Sequence, residues 1–421
     1  MNYFSKGAAD YIFTNEELKN ALFQTYEKIG KRQKVMVIPP DYTRYHSQAG
    51  LLTQLTDQFY GNSLTDILPA LGTHTPMTKE EINSMFGNIP AGKFRNHDWR
   101  NDLVTLGEVP SSFIREVSEG KVDYSWPAQV NKLIVSGGFD LILSIGQVVP
   151  HEVIGMANYN KNIFIGTGGK EGINKSHFLG AVYGMERMMG RADTPVRKIL
   201  NYSSEKFAGH IPFIYVLTVI ARDEYCKLNV CGLFIGDDSE CFNRAAELSL
   251  KVNFSILEEP LKKVVVYLDP HEYKSTWLGN KSIYRTRMSI ADGGELIVLA
   301  PGIKTFGEDK QIDELIRKYG YSGTGKVLEW TKQNQDLKQN LSAAAHLIHG
   351  SSEGRFNIRY CPGQLTKQEI EKVHFAYDDL KVMIKKYDPA KLKDGFNQIG
   401  NDEFYYISNP ALGLWAWKNK F

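Results

Sequence analysis

The sequence predicts two α/β domains with mainly parallel, doubly wound sheets and a cleft between the domains. The first observation is that short, continuous apolar runs recur along the chain and end in polar or glycine-rich loops, which is typical of strands buried on both faces of a parallel sheet. The second is that segments with helical signals separate these runs, and such alternation is typical of doubly wound sheets. The length of 421 residues allows about two or three domains.

The first predicted domain comprises residues 1–261. The stretch Thr78-Lys79-Glu80-Glu81 has a capping-box pattern and predicts the start of a helix that continues through about Met85. A second helix is predicted over 238–251, after a Gly-Asp turn. The apolar runs of this domain are expected to form strands at 35–38, 66–71, 141–145, 162–165, 213–220 and 230–235.

The second predicted domain comprises residues 262–421 and begins after the stretch Glu258-Glu259-Pro260, whose charges and proline are typical of a linker. Its apolar runs and helical patterns predict strands at 264–268 and 294–300, helices at 311–318 and 366–372, and further strands near Val373 and Phe404.

Composition argues against several classes of protein. Four cysteines without a CxxC pair disfavour a disulfide framework and a cysteine-only zinc site. The N-terminus lacks a basic region followed by an apolar one, and no apolar run reaches the roughly 18 residues of a membrane span. A net charge of +2, with both signs mixed along the chain, disfavours a nucleic-acid surface. We therefore expect a cytoplasmic protein with a small-molecule substrate and no membrane or nucleic-acid partner; its oligomeric state is left open.

Polar side chains follow three of the predicted strands at the point where each strand ends. Ligands of open α/β sheets bind beyond the carboxyl ends of the strands, so these loops predict one composite site. For any single loop, turn formation is an equally simple explanation of such residues. The residues are Asp41, Thr43 and Arg44 after the first strand, Thr73 and His74 after the second, and His151 after the third.

Three histidines lie in polar or glycine-rich surroundings, namely His97, His151 and His177. Histidine moves protons near neutral pH and is also the commonest metal ligand, although each of these residues taken alone fits a surface or capping position better. The loop Gly166-Thr167-Gly168-Gly169-Lys170 follows an apolar run and could hold a phosphate. It has neither the Walker spacing nor the complete GxGxxG pattern, which disfavours ordinary nucleotide binding.

Together these segments resemble the nickel-dependent lactate racemase family over about residues 35–237. The resemblance is carried by Asp41-Tyr42-Thr43-Arg44, by the stretch from Leu71 to Glu81, by Asn96-His97-Asp98, by the ten- and sixteen-residue spacings between His151, Lys161 and His177, and by Phe234-Ile235-Gly236-Asp237. It implies a racemase or epimerase that inverts C2 of a 2-hydroxy acid by hydride transfer to a nickel-pincer nucleotide.

The resemblance also implies roles for individual residues. Lys161 would tether the cofactor and His177 would bind nickel, which accepts sulfur and imidazole ligands in a planar arrangement. His97 and His151 would exchange the hydroxyl proton on opposite faces of the substrate. The remaining assignments are Asp41, Thr73 and His74 to cofactor binding, and Arg44, Lys304 and Lys310 to substrate binding.

The chain departs from the family pattern at several positions. Lys161 lacks the usual Ser-Gly-Gly-x-Lys surroundings, which Lys170 after Gly168-Gly169 imitates at a different spacing. Tyr45-His46 replaces a proline. The polar stretch from Ser351 to Arg355 predicts a substrate more hydroxylated than lactate, a sugar acid such as gluconate, and fits a capped turn equally well.

Three other functions remain open from the sequence. A nicotinamide-dependent 2-hydroxy acid dehydrogenase would use similar residues but should carry a Rossmann glycine turn. A non-catalytic sugar-acid binding protein would suit two α/β lobes. A zinc-dependent epimerase would use His97, His151 and His177 together as metal ligands.

Overall fold

The computed structural model of the chain describes residues 1–223 and 227–421, so Cys226 lies outside the described residues. The chain divides into two compact units, the first comprising residues 1–179 and 188–253 and the second 180–187 and 254–421. Residues 254–261, expected in the first domain, lie in the second unit because the strand Phe254–Leu257 pairs with Leu414–Trp417. Residues 180–187 join that unit too, where Glu186 is ion-paired with Arg287 and Arg355.

The first unit is built on a mixed sheet of six strands among the described residues, in the order β1-β10-β9-β6-β2-β3. Strands β9, β6, β2 and β3 run parallel, while β1 and β10 add an antiparallel edge. The pairs β4–β5 and β7–β8 form separate antiparallel ribbons. The strands are β1 Asn2–Gly7, β2 Val35–Ile38, β3 Leu64–Ile67, β4 Leu103–Val109, β5 Trp126–Asn131, β6 Leu141–Gln147, β7 Pro150–His151, β8 Gly155–Met156, β9 Phe213–Arg222 and β10 Leu228–Gly236.

Helices of the first unit cover the sheet, and the side chains of β2, β6 and β9 pack with those of α1 and α2 in one apolar core. The capping box predicted at Thr78 is confirmed, since Thr78 Oγ1 accepts from the Glu81 amide at 3.2 Å and Glu81 accepts from the Thr78 amide at 2.9 Å. The helices are α1 Asn15–Ile29, α2 Ala49–Tyr60, α3 Lys79–Phe86, α4 Ser111–Val117, α5 Lys132–Ser136, α6 Asn160–Phe164, α7 Lys170–Tyr183, α8 Met185–Met188, α9 Pro195–Phe207 and α10 Ser239–Asn253; α7 and α8 extend into residues 180–187.

The second unit contains a sheet in the order β15-β14-β13-β12-β17-β16, parallel except for the β16–β17 hairpin, beside the parallel pair β11–β18. The strands are β11 Phe254–Leu257, β12 Leu261–Tyr267, β13 Ile290–Ala300, β14 Asn357–Pro362, β15 Ala376–Tyr377, β16 Gly395–Ile399, β17 Asp402–Ile407 and β18 Leu414–Trp417. The helices are α11 Thr276–Gly279, α12 Lys281–Thr286, α13 Lys310–Tyr319, α14 Thr324–Gln333, α15 Gln335–Lys338, α16 Leu341–His349, α17 Lys367–Lys372 and α18 Leu380–Lys386.

The expected α/β class with mostly parallel sheets is thus confirmed, with two local corrections. The apolar run at 162–165 was expected to be a strand, but it belongs to α6 and the following loop, so the glycine loop 166–169 connects two helices. The strand expected near Val373 is the short β15 at Ala376–Tyr377. Among the described residues, no helix combines the length and apolar character needed to cross a lipid bilayer.

Candidate active site

The carboxyl ends of β6, β2 and β3 lie side by side because these strands are parallel neighbours. The contact between β2 and β3 continues past the strands, where Pro40 and Ala70 form a parallel bridge and the Ala70 amide donates to Pro39 at 2.8 Å. Beyond that bridge, the Gly72 amide donates to the carbonyl oxygen of Gly166 at 2.8 Å. The loops predicted to form one composite site therefore meet at one edge of the sheet.

Asp41 connects the first two of these loops. Its side chain accepts from the Thr43 amide at 3.2 Å, which caps a short 3-10 turn over Tyr42–Ser47, and its Oδ2 lies 2.6 Å from His74 Nδ1. Burial alone would raise the pKa of Asp41, but hydrogen bonds from His74 and Thr43 and the charge of Arg44 outweigh it and lower that pKa. Asp41 is therefore an ionised, buried carboxylate, whereas Arg44, Thr73 and His74 are exposed.

Lys161 is positioned by the short helix α6. The side chain of Asn162 donates to the carbonyl oxygen of Ile38 at 3.0 Å and to Ser144 Oγ at 3.1 Å, which fixes α6 against the ends of β2 and β6. Burial and the charge of Arg44 lower the pKa of Lys161 to about 8, opposed by Glu152 and Asp41. A lysine amine with this pKa is far more nucleophilic at neutral pH than an ordinary one.

His151 is a buried, neutral imidazole. Its Nδ1 accepts from the Val153 amide at 3.1 Å, so its proton is on Nε2. Burial lowers the pKa of His151 well below its usual value. The charge of Glu152 opposes this shift, while electrostatic interactions with Lys161, Arg44 and His177 lower the pKa further.

His177, on α7, has the opposite tautomer. Its Nδ1 donates to the carbonyl oxygen of Ile173 at 2.7 Å, which leaves the lone pair of Nε2 available. Burial and the charge of Lys161 lower the pKa of His177, although the bond to Ile173 opposes them. Neutral imidazole with a free lone pair is the form that binds metal ions.

The mutual electrostatic influence of these residues defines a central cluster, which we take as Asp41, Arg44, His151, Lys161 and His177. Their side chains come from the loop after β2, the ribbon β7–β8, α6 and α7. The predicted roles of the individual residues remain predictions.

His97 is held in a separate set of contacts. It is 2% exposed, its Nε2 donates to the carbonyl oxygen of Gly168 at 3.0 Å, and its Nδ1 accepts from the side-chain amide of Asn131 at 3.1 Å. Burial lowers the pKa of His97 against the opposing bond to Gly168, with no contribution from the central cluster. The contact with Gly168 nevertheless connects His97 to the loop that joins α6, which carries Lys161, to α7, which carries His177.

The central cluster as defined above does not include the other lysines considered from the sequence. Lys170 is exposed at the start of α7. Lys304 and Lys310 are exposed in the second unit, and Lys310 is ion-paired with Glu314 at 3.9 Å on the same helix. Their assignment to substrate binding stays a prediction.

Arg197, which was not predicted as a site residue from the sequence, organises the segment before Lys161. This arginine of α9 is 2% exposed and donates to the carbonyl oxygens of Met156 at 2.7 Å and Asn158 at 3.2 Å, and to the side chain of Asn160. Asn160 also donates to Asn201 Oδ1 at 2.7 Å. An arginine on the otherwise apolar face of α9 was the one available signal in the sequence.

No group of three or more His, Cys, Asp or Glu side chains within the described part of the chain is placed to hold a metal ion. The alternative function of a zinc-dependent epimerase requires His97, His151 and His177 to bind one metal ion together. Among the described residues, these three histidines do not form such a ligand set. A metal bound by His177 would therefore take its other ligands from outside these side chains.

Comparison with known proteins identifies relatives of this chain. Residues 16–189 match the family model of the lactate racemase N-terminal domain. A crystal structure of a protein from Thermotoga maritima has 27% sequence identity and a TM-score of 0.83, over 98% of this chain and 100% of that one. The lactate racemase apoprotein from Thermoanaerobacterium thermosaccharolyticum has a similar fold, with 16% identity, a TM-score of 0.72, and coverage of 98% and 94%. No curated protein matches the chain.

Proposed function

Because residues 16–189 belong to the lactate racemase N-terminal domain family, we propose that this protein is an isomerase that inverts C2 of a 2-hydroxy acid by reversible hydride transfer to a nickel-pincer nucleotide. The observation that carries the proposal is the central cluster, in which a nucleophilic lysine and two neutral histidines of opposite tautomer lie around one arginine and one carboxylate.

The residues present fit such a cofactor. Lys161, with a pKa of about 8, offers an amine for a covalent tether. His177 offers Nε2 as a single imidazole ligand, with its tautomer fixed by Ile173 as metal-binding histidines require. When bound, the nickel-pincer nucleotide supplies the hydride acceptor. The ionised Asp41 and the neighbouring Thr73 and His74 are our candidates for polar contacts with the nucleotide.

The chain itself would supply binding and proton transfer. Arg44 has a planar guanidinium that can bind the substrate carboxylate through two parallel hydrogen bonds. We assign to His151 the exchange of the hydroxyl proton at the C2 oxygen through Nε2. For Nε2 to accept that proton, the ring must move its own proton to Nδ1 and give up the Val153 amide. We assign the corresponding role on the opposite face to His97, which would have to release Gly168 to reach a substrate.

The proposed substrate is more hydroxylated than lactate, with gluconate as the example. This part of the proposal is supported by the polar stretch from Ser351 to Arg355. In the second unit, Glu353 accepts from the Thr324 amide at 3.0 Å, and its own amide donates to Ser351 Oγ at 2.9 Å, so the stretch is an ordered turn that presents a carboxylate.

The nicotinamide-dependent dehydrogenase is less well supported. A dinucleotide-binding glycine turn follows a strand and opens a helix. The glycine loop 166–169 instead follows α6, and its Gly168 carbonyl is occupied by His97.

The decisive experiment is the intact mass of protein produced in a host that makes the cofactor. We expect an adduct of a few hundred daltons, about one nickel per chain, and interconversion of the C2 epimers of gluconate or of lactate. Lys161→Ala should abolish the adduct, and the matched control Lys170→Ala should retain it. Loaded protein that interconverts no 2-hydroxy acid would contradict the isomerase assignment, as expected of a non-catalytic sugar-acid binding protein.

A further inference from the structure

Residues of the second unit line a half-open cavity of about 230 Å³. This volume is below the roughly 300–1,000 Å³ of pockets for drug-sized ligands, so it suits a small metabolite and not a dinucleotide. Its polar lining consists of Glu186, Arg287, Thr324, His349, Glu353 and Arg355. The central cluster contains none of these residues, although Glu353 and Arg355 belong to the polar stretch that supports the choice of substrate in the proposed function.

Arg287 has an unused hydrogen-bond donor in this cavity. The residue is 5% exposed; its Nε lies 3.3 Å from Glu186, and its Nη1 donates to the carbonyl oxygens of His349 at 3.3 Å and Ser351 at 3.2 Å. The described hydrogen bonds of Arg287 come from Nε and Nη1, and none comes from Nη2. An anion that accepts from Nη2 would therefore form a charge-assisted hydrogen bond.

Arg287 and Arg355 share one carboxylate, Glu186, on this side of the cavity, and Arg355 is also paired with the exposed Asp292 at 2.8 Å. Arg355 donates from Nη1 to Glu186 Oε1 at 2.7 Å, the same oxygen that Arg287 contacts. One carboxylate oxygen therefore serves two guanidinium groups. Arg355 also donates to the carbonyl oxygens of Arg287 at 3.2 Å and Ile290 at 3.0 Å, which fixes the backbone that carries Arg287.

A second carboxylate in the lining supplies hydrogen-bond acceptors. Glu353 Oε1 accepts from the amide and hydroxyl of Thr324 at 3.0 and 2.9 Å, and its Oε2 accepts from that amide at 3.1 Å. A carboxylate has about four lone-pair positions, so Oε2 can accept one more hydrogen bond. A ligand hydroxyl can donate there, whereas the two carboxylates of the lining would repel a dianion such as phosphate.

We propose that this cavity is a binding site for a small carboxylic acid with several hydroxyl groups, whose carboxylate accepts from Arg287 Nη2 and one of whose hydroxyls donates to Glu353. Arg287 and Glu353 are complementary to a carboxylate and a hydroxyl group of one small ligand. The choice of an aldonic acid as the probe rests on the proposed function.

The test is calorimetric titration of the full-length chain with sodium gluconate, followed by sodium lactate, sorbitol and inorganic phosphate. Gluconate should bind more tightly than lactate and phosphate, and sorbitol, which lacks the carboxylate, should not bind measurably. Arg287→Gln should weaken gluconate binding at least tenfold, because a charge-assisted hydrogen bond is lost. Glu353→Gln should weaken gluconate binding and leave lactate binding unchanged, since a hydroxyl contact is lost.

The matched control is Arg359→Gln, which removes another paired arginine of this unit, bound to Glu295 at 2.8 Å and Asp378 at 3.1 Å. It should leave gluconate binding unchanged. Arg44→Gln should retain the Arg287-dependent binding. Unchanged affinity in Arg287→Gln, loss of all binding in Arg44→Gln, or phosphate binding as tight as gluconate would overturn the inference.

Misfolding of a variant and failure of the proposed function can each be distinguished from failure of the inferred binding site. If Arg287→Gln does not fold, as judged by circular dichroism and thermal unfolding, the Glu353→Gln titration decides, because it alters only a turn. If loaded protein shows no epimerase activity while the Arg287-dependent binding persists, the proposed function fails and the binding site stands.

Discussion

Arg197 donates from both Nη1 and Nη2 to the carbonyl oxygen of Asn158, at 3.2 Å in each case. Asn158 and the following Tyr159 have positive φ angles of 64° and 59°, a conformation that is costly for residues other than glycine. The guanidinium also stacks 4.2 Å from the centre of the Phe242 ring. One buried arginine thus stabilises the reversed backbone that leads directly into the helix of Lys161.

Replacing Arg197 by methionine should destabilise the protein substantially. The carbonyl oxygens of Met156 and Asn158 would lose their charged donor while buried, and each unsatisfied group costs about 1–3 kcal/mol. We expect the free energy of unfolding to fall by about 3 kcal/mol in urea denaturation. The matched control is Arg244→Met, which removes an exposed arginine paired with Glu240 and should change stability by less than about 0.5 kcal/mol. Equal effects of the two substitutions would contradict this role of Arg197.

Gly50 allows α2 and α3 to approach closely. A Cβ atom at this position would lie 2.0 Å from the carbonyl oxygen of Met85, so Gly50→Ala must separate the two helices. Overpacking of this kind costs about 1–3 kcal/mol, which should appear as a lower midpoint in thermal or urea unfolding. Gly92→Ala is the control, because a Cβ atom there meets nothing within 4 Å. An unchanged midpoint for Gly50→Ala would show that the helices repack without cost.

The strand-end positions of the central cluster could be predicted from sequence because they depend on local patterns. Apolar runs predict the strands β2 and β6. Because the carboxyl ends of parallel neighbouring strands share one edge of a sheet, the sequence predicts Asp41 and His151 in one site. The hydrogen bond between Asp41 and His74 is an outcome of the same rule, since β3 is the next parallel strand.

The parts of the fold that could not be predicted from the sequence depend on contacts between residues far apart in the chain. Residues 162–165 have the composition of a strand, and the helix forms there because Arg197 and the positive φ of Tyr159 turn the chain beforehand. In the same way, β11 precedes the expected domain boundary but is paired with β18 about 160 residues later. Hydrophobic periodicity carries no information about such partners.

His346 should make the stability of the protein pH-dependent. It is 4% exposed, bound by the hydroxyls of Tyr284 at 2.8 Å and Tyr321 at 3.0 Å, and stacked 4.4 Å from Trp277; burial lowers its pKa to about 3. The unfolded chain protonates this histidine near pH 6.5, whereas the folded chain keeps it neutral. Stability that is present above pH 6.5 is therefore lost as the pH falls towards about 3.

Urea denaturation at pH 7 and pH 5 measures this effect. For an unfolded pKa of about 6.5, the contribution of His346 to the difference in unfolding free energy is about 2 kcal/mol. His346→Gln should be less stable than the parent at pH 7 and should lose about 2 kcal/mol less between the two pH values, because it has no titrating group. His210→Gln, which alters an exposed histidine, should keep the parental pH dependence. Parallel pH profiles for the parent and His346→Gln would show that His346 titrates alike in both states.

His151 and His177 should differ in what their loss removes from the cofactor-loaded protein. His151 presents a proton on Nε2, so His151→Asn should retain the adduct and nickel but lower kcat by about 10²–10⁴-fold, the usual contribution of a general acid or base. His177 presents a lone pair, so His177→Ala should retain the covalent adduct and lose nickel. Intact mass, nickel content and epimer interconversion, measured on the same samples, separate these losses. Full nickel retention in His177→Ala would contradict its role as a nickel ligand, and an unaltered kcat in His151→Asn would contradict its role in proton transfer. The control His210→Asn should leave the adduct mass, the nickel content and the rate of epimer interconversion unchanged.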